Sequence, residues 1–123
     1  MPEDDPSSLL ITLVGPCASG KSTLGNALKT ADYQVKQPVQ EHSQIKDLWQ
    51  RFSTPDTLIY LDLNFESLRQ RRPKNHGGPE RLAQQHQRLA HAYKHCDLYL
   101  DTSDLTPAEI QEKVFAFLEK IIE

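Results

Sequence analysis

The sequence predicts an α/β fold, with a short parallel sheet of about four strands and helices on both faces, and three observations predict it. Apolar, β-branched runs alternate with helix-period segments along the chain, the alternation that a parallel sheet with crossover helices produces. Gly15-Pro16-Cys17-Ala18-Ser19-Gly20-Lys21-Ser22 closes the first apolar run and opens the first helical one, and it matches the pattern G-x-x-x-x-G-K-[ST]. Thr106-Pro107-Ala108-Glu109 sets a capping box, with proline at the first helical position, before the last helix-period segment. Parallel strands join through right-handed crossovers, so a ligand site is expected beyond their carboxyl ends.

Each element has its own warrant. Residues 1–8 hold two prolines and three acids and read as a flexible tail, leaving 9–123 as a single domain. Residues 9–14 are a buried strand and 21–29 a helix. Tyr33-Gln34-Val35-Lys36 is a brief second strand ending before Pro38, after which Val39 to His42 leave the sheet. Ile45, Leu48, Trp49 and Phe52 recur at helical spacing, which predicts a short amphipathic helix with Trp49 and Phe52 in the core. Residues 56–63 form the second strongly apolar strand, and Asn64 caps a helix over 65–72 that Pro73 stops. The segment 73–79 holds two of the five glycines and two of the eight prolines, a mobile hairpin inside a lid over about 71–81. A helix from Pro79 to about His95 would bury Leu82, Leu89, Ala90 and Tyr93. Residues 98–101 are the last strand, and Ile110, Val114, Phe117, Leu118 and Ile121 form the inner face of the closing helix.

Composition narrows the function classes. A chain of 123 residues holds one core and no separate substrate domain. A net charge of −3 with mixed signs offers no broad cationic surface, which argues against a nucleic-acid binder. No apolar run nears the roughly 20 residues of a membrane span, and the acidic start is unlike a signal peptide, so a soluble, cytoplasmic protein without a membrane partner is expected. The two cysteines read as free thiols, because a disulfide from Cys17 would obstruct the glycine loop.

The loop carries the chemistry. Its glycines let successive N–H groups converge, and the following helix adds its positive end, so a polyphosphate is the fitting ligand. Lys21 would reach terminal phosphates, Ser22 would bring its hydroxyl to Mg²⁺, and Thr23 would touch an inner phosphate. The weaker signals read as packing. His91, His95 and Cys96 share a helix end at metal-ligand spacing, but a helix C-terminus favours cationic side chains in any case. Cys17 occupies a variable loop position as a small packing residue.

These residues resemble a known family, the small P-loop kinase-like NTPases of the shikimate kinase and adenylate kinase group. The resemblance rests on the loop, on Ile59-Tyr60-Leu61-Asp62 leading into Arg69-Gln70-Arg71-Arg72, on the glycine-containing hairpin, and on Asp97-Leu98-Tyr99-Leu100-Asp101-Thr102-Ser103 with Pro107 beyond. It implies a three-layer P-loop fold with a small lid, ATP or another NTP with Mg²⁺ as cofactors, and transfer of the γ-phosphate to a small acceptor. In that family, Gly15 to Thr23 would bind the nucleotide, and Arg71 or Arg72 would stack on the base or grip phosphate, the alternative being a solvated helix face. Thr102 to Pro107 would form the other wall of the base pocket. The family's acidic strand before the Tyr-Leu-Asp strand has no counterpart here, so either Asp62 orients Mg²⁺ or the site lacks a conventional second acid. Glu41 would orient or deprotonate the acceptor and Arg88 would hold its carboxylate, the two facing one pocket. The competing reading is a nucleotide-binding regulatory module or slow NTPase without an acceptor, whose ordered lid recruits a protein partner.

Overall fold

The computed structural model describes residues 8–122, so the expected tail lies, Ser8 apart, outside the described residues. Four strands, β1 (Leu10–Val14), β2 (Gln34–Lys36), β3 (Thr57–Asp62) and β4 (Leu98–Asp101), form one sheet of order β2-β1-β3-β4. Every pairing in it is parallel. The helices are α1 (Lys21–Thr30), α2 (Leu48–Arg51), α3 (Phe65–Arg71), α4 (Gly78–Arg88), α5 (Ala90–His95) and α6 (Pro107–Ile122), with a 3-10 turn at Gln40–His42. The chain steps from β1 out to β2 and then back across β1 to β3, so the strand order reverses between β1 and β3. Parallel sheets open a crevice at the carboxyl ends of the strands where the order reverses. The register sets Val14 opposite Tyr60 there, and the glycine loop leaves β1 at that point.

Alternation along the strands divides the apolar side chains between two clusters. Ile11, Leu13, Ile59 and Leu61 pack with Leu24 and Leu28 of α1 and with Ile110, Val114 and Leu118 of α6. Val14, Leu58 and Tyr60 pack instead with Trp49, Leu89 and Ala92. Both central strands are thus apolar on both sides, as the near-continuous hydrophobic runs require. A third, small cluster of Leu63, Leu68 and Leu82 ties α3 to α4 and touches Ala18 of the loop. No described helix is long and apolar enough to cross a membrane.

Local chemistry sets the ends of the elements. The Asn64 side chain accepts a hydrogen bond from the Ser67 amide at 2.8 Å, the expected cap of α3. The capping box forms in full, with the Thr106 amide donating to Glu109 Oε1 at 2.9 Å and the Glu109 amide donating to Thr106 Oγ1 at 3.1 Å.

Three expectations are corrected. The helix expected over 45–52 is the single turn α2, too short to align four apolar residues; Trp49 is buried, but Phe52 is 87% exposed and Ile45 is also exposed. The long helix to His95 is broken at Leu89 into α4 and α5, which shifts the buried stripe. Ala92 replaces Ala90 in the core, and Tyr93 is left exposed with its ring edge-on to Tyr60 and Tyr99. In α6 the inner face is Ile110, Val114 and Leu118, with Phe117 half-buried against it, while Ile121 is exposed in the final turn.

Candidate functional site

Loop 15–22 presses against β3. Gly15 has φ +152°, and a Cβ added there would lie 2.0 Å from the Leu61 carbonyl oxygen, so only glycine allows this approach. Gly20 needs its hydrogen for a different reason. Its φ of +104° is left-handed, although a Cβ would meet nothing closer than Ile110 Cδ1 at 3.5 Å. Ala18 also takes a positive φ, 65°, so the chain turns sharply between the two glycines. α1 then starts with no acidic residue in its first turn and no side-chain cap, leaving its first amides unclaimed by either. The Ser19 hydroxyl is buried in the loop without a hydrogen-bond partner.

Lys21 folds back over this loop. Its ammonium donates to the Gly15 carbonyl, to the Pro16 carbonyl at 3.2 Å and to Glu41 Oε2 at 2.9 Å. Glu41 is brought there by the 3-10 turn, which Gln40 anchors from a fully buried position. The Gln40 amide nitrogen donates to the Ile45 and Arg88 carbonyls at 2.7 and 3.1 Å, and its oxygen accepts from the Trp49 amide at 2.9 Å. The second oxygen of Glu41, Oε1, is buried and unpartnered. Gln85 of α4 holds the other side of the loop, accepting from the Cys17 amide at 3.0 Å.

Two cavities meet at the loop. A polar one of about 500 Å³ is lined by Cys17 through Thr23 together with Glu41, His42, Arg71 and Arg72. An apolar one of about 270 Å³ is lined by Ala18, Gly20, Thr23, Leu24, Arg71, Leu105, Pro107 and Ile110. Ala18, Gly20, Thr23 and Arg71 belong to both. Arg71 is held at this junction by bonds to the Ala18 carbonyl at 2.7 Å and to both the hydroxyl and the carbonyl of Thr102. Thr102 is fully buried, its hydroxyl 2.8 Å from the Asp62 carbonyl and 3.0 Å from the Ser19 carbonyl.

The structure therefore gathers Cys17 to Thr23, Glu41, Arg71, Arg72 and Pro107 around joined cavities, keeps Gly15 and Pro16 beside them through their carbonyl bonds from Lys21, and places Asp62 and Arg88 outside both linings. Thr102 positions Arg71 and is no part of either lining. Asp62 is spent elsewhere: Tyr99 donates to its Oδ2 at 2.7 Å, while His86 Nε2 and the Leu63 amide each lie 2.8 Å from its Oδ1. Burial first, and then the Asp62 carboxylate that accepts its proton, pushes the Tyr99 hydroxyl far above the usual tyrosine range. Hydrogen bonds from Ser103 hold Asp101 below the usual carboxylate range. Arg88 touches Glu41 only at its backbone carbonyl, 3.3 Å away, and lines a separate groove with Gln44, Lys46, Gln84 and Gln87. Glu41 and Arg88 do not line one pocket: Glu41 lines the polar cavity, whereas the Arg88 guanidinium reaches only the Glu41 backbone and lines the separate groove.

His42, Gln85 and Ile110 also belong to the site, whereas Leu105 falls within the Thr102 to Pro107 wall that the resemblance implies. Ile110 lies one helical turn beyond Pro107, which is the signal the sequence offers for it. His42 and Gln85 carried none, because the 3-10 turn and the α4 phase decide where they point. His91, by contrast, accepts from the Trp49 indole at 3.0 Å, and Cys96 donates to the Tyr93 carbonyl at 3.2 Å. No protein-family model matches this chain, and no curated protein matches it in sequence.

Proposed function

We propose that this chain is a nucleotide-binding protein of the P-loop class, with a three-layer fold and a lid over 71–81, acting as a small-molecule kinase that uses ATP or another NTP with Mg²⁺. The observation that carries the reading is the pair of cavities joined at the glycine loop, one apolar and one lined by Lys21, Arg71 and Arg72. A nucleotide has the same division, an apolar base at one end and a polyanion at the other. The residues present fit it: the unpartnered Ser19 hydroxyl and the uncapped start of α1 leave donors for an anion. Ser22 lines the polar cavity and would supply its hydroxyl to Mg²⁺, the rest of the shell being phosphate and water. That cation would neutralise charge on the phosphates.

The chain's own groups suit positioning and charge stabilisation, which phosphoryl transfer chiefly needs. Lys21 exchanges the loop carbonyls and Glu41 for the terminal phosphates. Arg71, fixed at the junction of the cavities, offers a planar two-pronged contact to the inner phosphates or the base. Glu41, released by Lys21, is left with a carboxylate at the polar end of the site to orient an acceptor hydroxyl. The competing reading, a regulatory module or slow NTPase, is favoured by one observation: the Arg88 guanidinium lines a groove apart from the Glu41 carboxylate, so an anionic acceptor has no assembled site.

Thermal melting with Mg²⁺ and millimolar ATP, repeated with GTP, tests the binding. A raised melting temperature is expected for the parent and a much smaller rise for Lys21→Ala. No rise with either nucleotide overturns the reading. Phosphate release with and without a pool of small hydroxylated metabolites then separates the two activities, since only a kinase responds to one acceptor.

A further inference from the structure

Cys17, Glu41 and His42 bring a sulfur, a carboxylate oxygen and an imidazole nitrogen to within 4.8 Å of one another at the mouth of the polar cavity. Cys17 Sγ lies 3.5 Å from His42 Nε2, and that nitrogen lies 3.8 Å from Glu41 Oε2. Tetrahedral zinc, with a Zn–S bond of about 2.3 Å and a Zn–N bond of about 2.05 Å, separates those two ligand atoms by about 3.6 Å. The sulfur and nitrogen already stand at that spacing.

A second observation points the same way. Glu41 Oε1 is buried and makes no hydrogen bond, although the residue is only 6% exposed. Leaving a carboxylate oxygen dry and unpaired is costly, and the group that removes the cost is a cation or a donor. Lys21 binds Oε2 and keeps the carbonyls of Gly15 and Pro16 as further partners, so the carboxylate has one oxygen paired and one left without a partner.

We propose that Cys17 Sγ, His42 Nε2 and the Glu41 carboxylate form a binding site for a thiophilic divalent cation of the Zn²⁺ class. Sulfur with nitrogen selects such an ion over Mg²⁺, which prefers oxygen alone. Binding exchanges the Cys17 S–H bond for a sulfur–metal bond and releases that proton to solvent, while His42 ligates as neutral imidazole. Gln85 is the supporting residue. Its amide nitrogen lies 3.4 Å from Cys17 Sγ and donates to it, and its oxygen fixes the Cys17 backbone, so the sulfur is oriented before the ion arrives. The His42 side chain is 43% exposed, which gives the ion an entry path and leaves the fourth position to water. The site shares Glu41 and the polar cavity with the nucleotide reading, but its test uses metal alone and no phosphate, so the two succeed or fail separately.

The test is metal titration of the full-length chain after chelator treatment. Co²⁺ should produce a near-ultraviolet sulfur-to-metal charge-transfer band, and Zn²⁺ should displace it with a stoichiometry of one and an affinity in the micromolar range or tighter. Cys17→Ser should abolish the band and weaken Zn²⁺ at least about ten-fold, and His42→Ala should weaken it similarly, each variant being checked for an unchanged metal-free melt. Cys96→Ser, which removes the other thiol, should leave both readouts as in the parent. Absence of a band in the parent, persistence of the parental affinity in Cys17→Ser, or loss of the band in Cys96→Ser would each overturn the assignment.

Discussion

The Lys21 ammonium lies 2.9 Å from Glu41 Oε2, with side-chain exposures of 12% and 7%, so the two charges neutralise each other in a largely buried setting. Removing one member of such a pair leaves the other buried and uncompensated, at a cost of about 3 kcal/mol. Lys21→Ala should therefore lower the ligand-free melting temperature by roughly 10 °C, at about 4 °C per kcal/mol for a domain of this size. The double variant Lys21→Met/Glu41→Leu should recover most of that loss, because no charge is stranded. If Lys21→Ala melts within about 1 °C of the parent, the pair carries no such coupling.

Gly15 is set by the backbone it faces. An added Cβ at 2.0 Å from the Leu61 carbonyl cannot be relieved by a side-chain rotation, since the obstacle is the central strand β3. Gly15→Ala should cost about 4 kcal/mol or more, while Gly20→Ala, strained by its φ alone, should cost about 1–2 kcal/mol. Denaturant unfolding of both variants checks the order, and equal losses would contradict it.

Arg71 and Arg72 are neighbours with different partners. Arg71 bonds to the Ala18 carbonyl and twice to Thr102, whereas among the described residues the Arg72 guanidinium makes no hydrogen bond or ion pair. Arg71→Ala should destabilise by about 1–2 kcal/mol and speed amide exchange in residues 15–22 and 102–106, with Arg72→Ala within about 0.5 kcal/mol of the parent. Hydrogen-exchange mass spectrometry distinguishes the two, and matching profiles would remove the structural role assigned to Arg71.

Tyr60 and Tyr99 lie together beside Asp62, their ring centroids 5.5 Å apart. Burial is the first cause that raises both hydroxyls far above their ordinary range, and the Asp62 charge adds to each. A group whose folded pKa is raised contributes stability that is whole below its unfolded value, about 10 for tyrosine, and is lost as pH climbs from there towards the folded value. Stability should accordingly fall with rising pH above about pH 10, and Tyr99→Phe should flatten that fall. Urea unfolding across the alkaline range, read with tyrosinate absorbance, measures it; an identical slope in Tyr99→Phe would refute the coupling.

How far the chain could be read without its structure varied with the range of the interactions involved. The four parallel strands, the Asn64 cap and the Thr106–Glu109 box were legible, because periodicity, capping and turn chemistry act over a few residues. The motif 15–22 likewise announced where a glycine loop would leave a strand for a helix. The extent of the helices was less legible. Nothing within residues 45–52 says that helix stops after one turn, and the break at Leu89 rotates the following face away from the stripe that spacing alone predicts.

The surroundings of the loop belonged to the tertiary structure. Glu41 reaches Lys21 because fully buried Gln40 ties the 3-10 turn to α2 and α4; Cys17 meets His42 across 25 positions of sequence, and Gln85 arrives across 68. Asp62, read from its place at the end of an apolar strand, turns instead to Tyr99 and His86. Local sequence determines which backbone a segment adopts, since the forces involved are short-ranged. Which side chains then share a cavity depends on how whole helices pack on the sheet, and that packing is settled only when distant segments bury their apolar faces together.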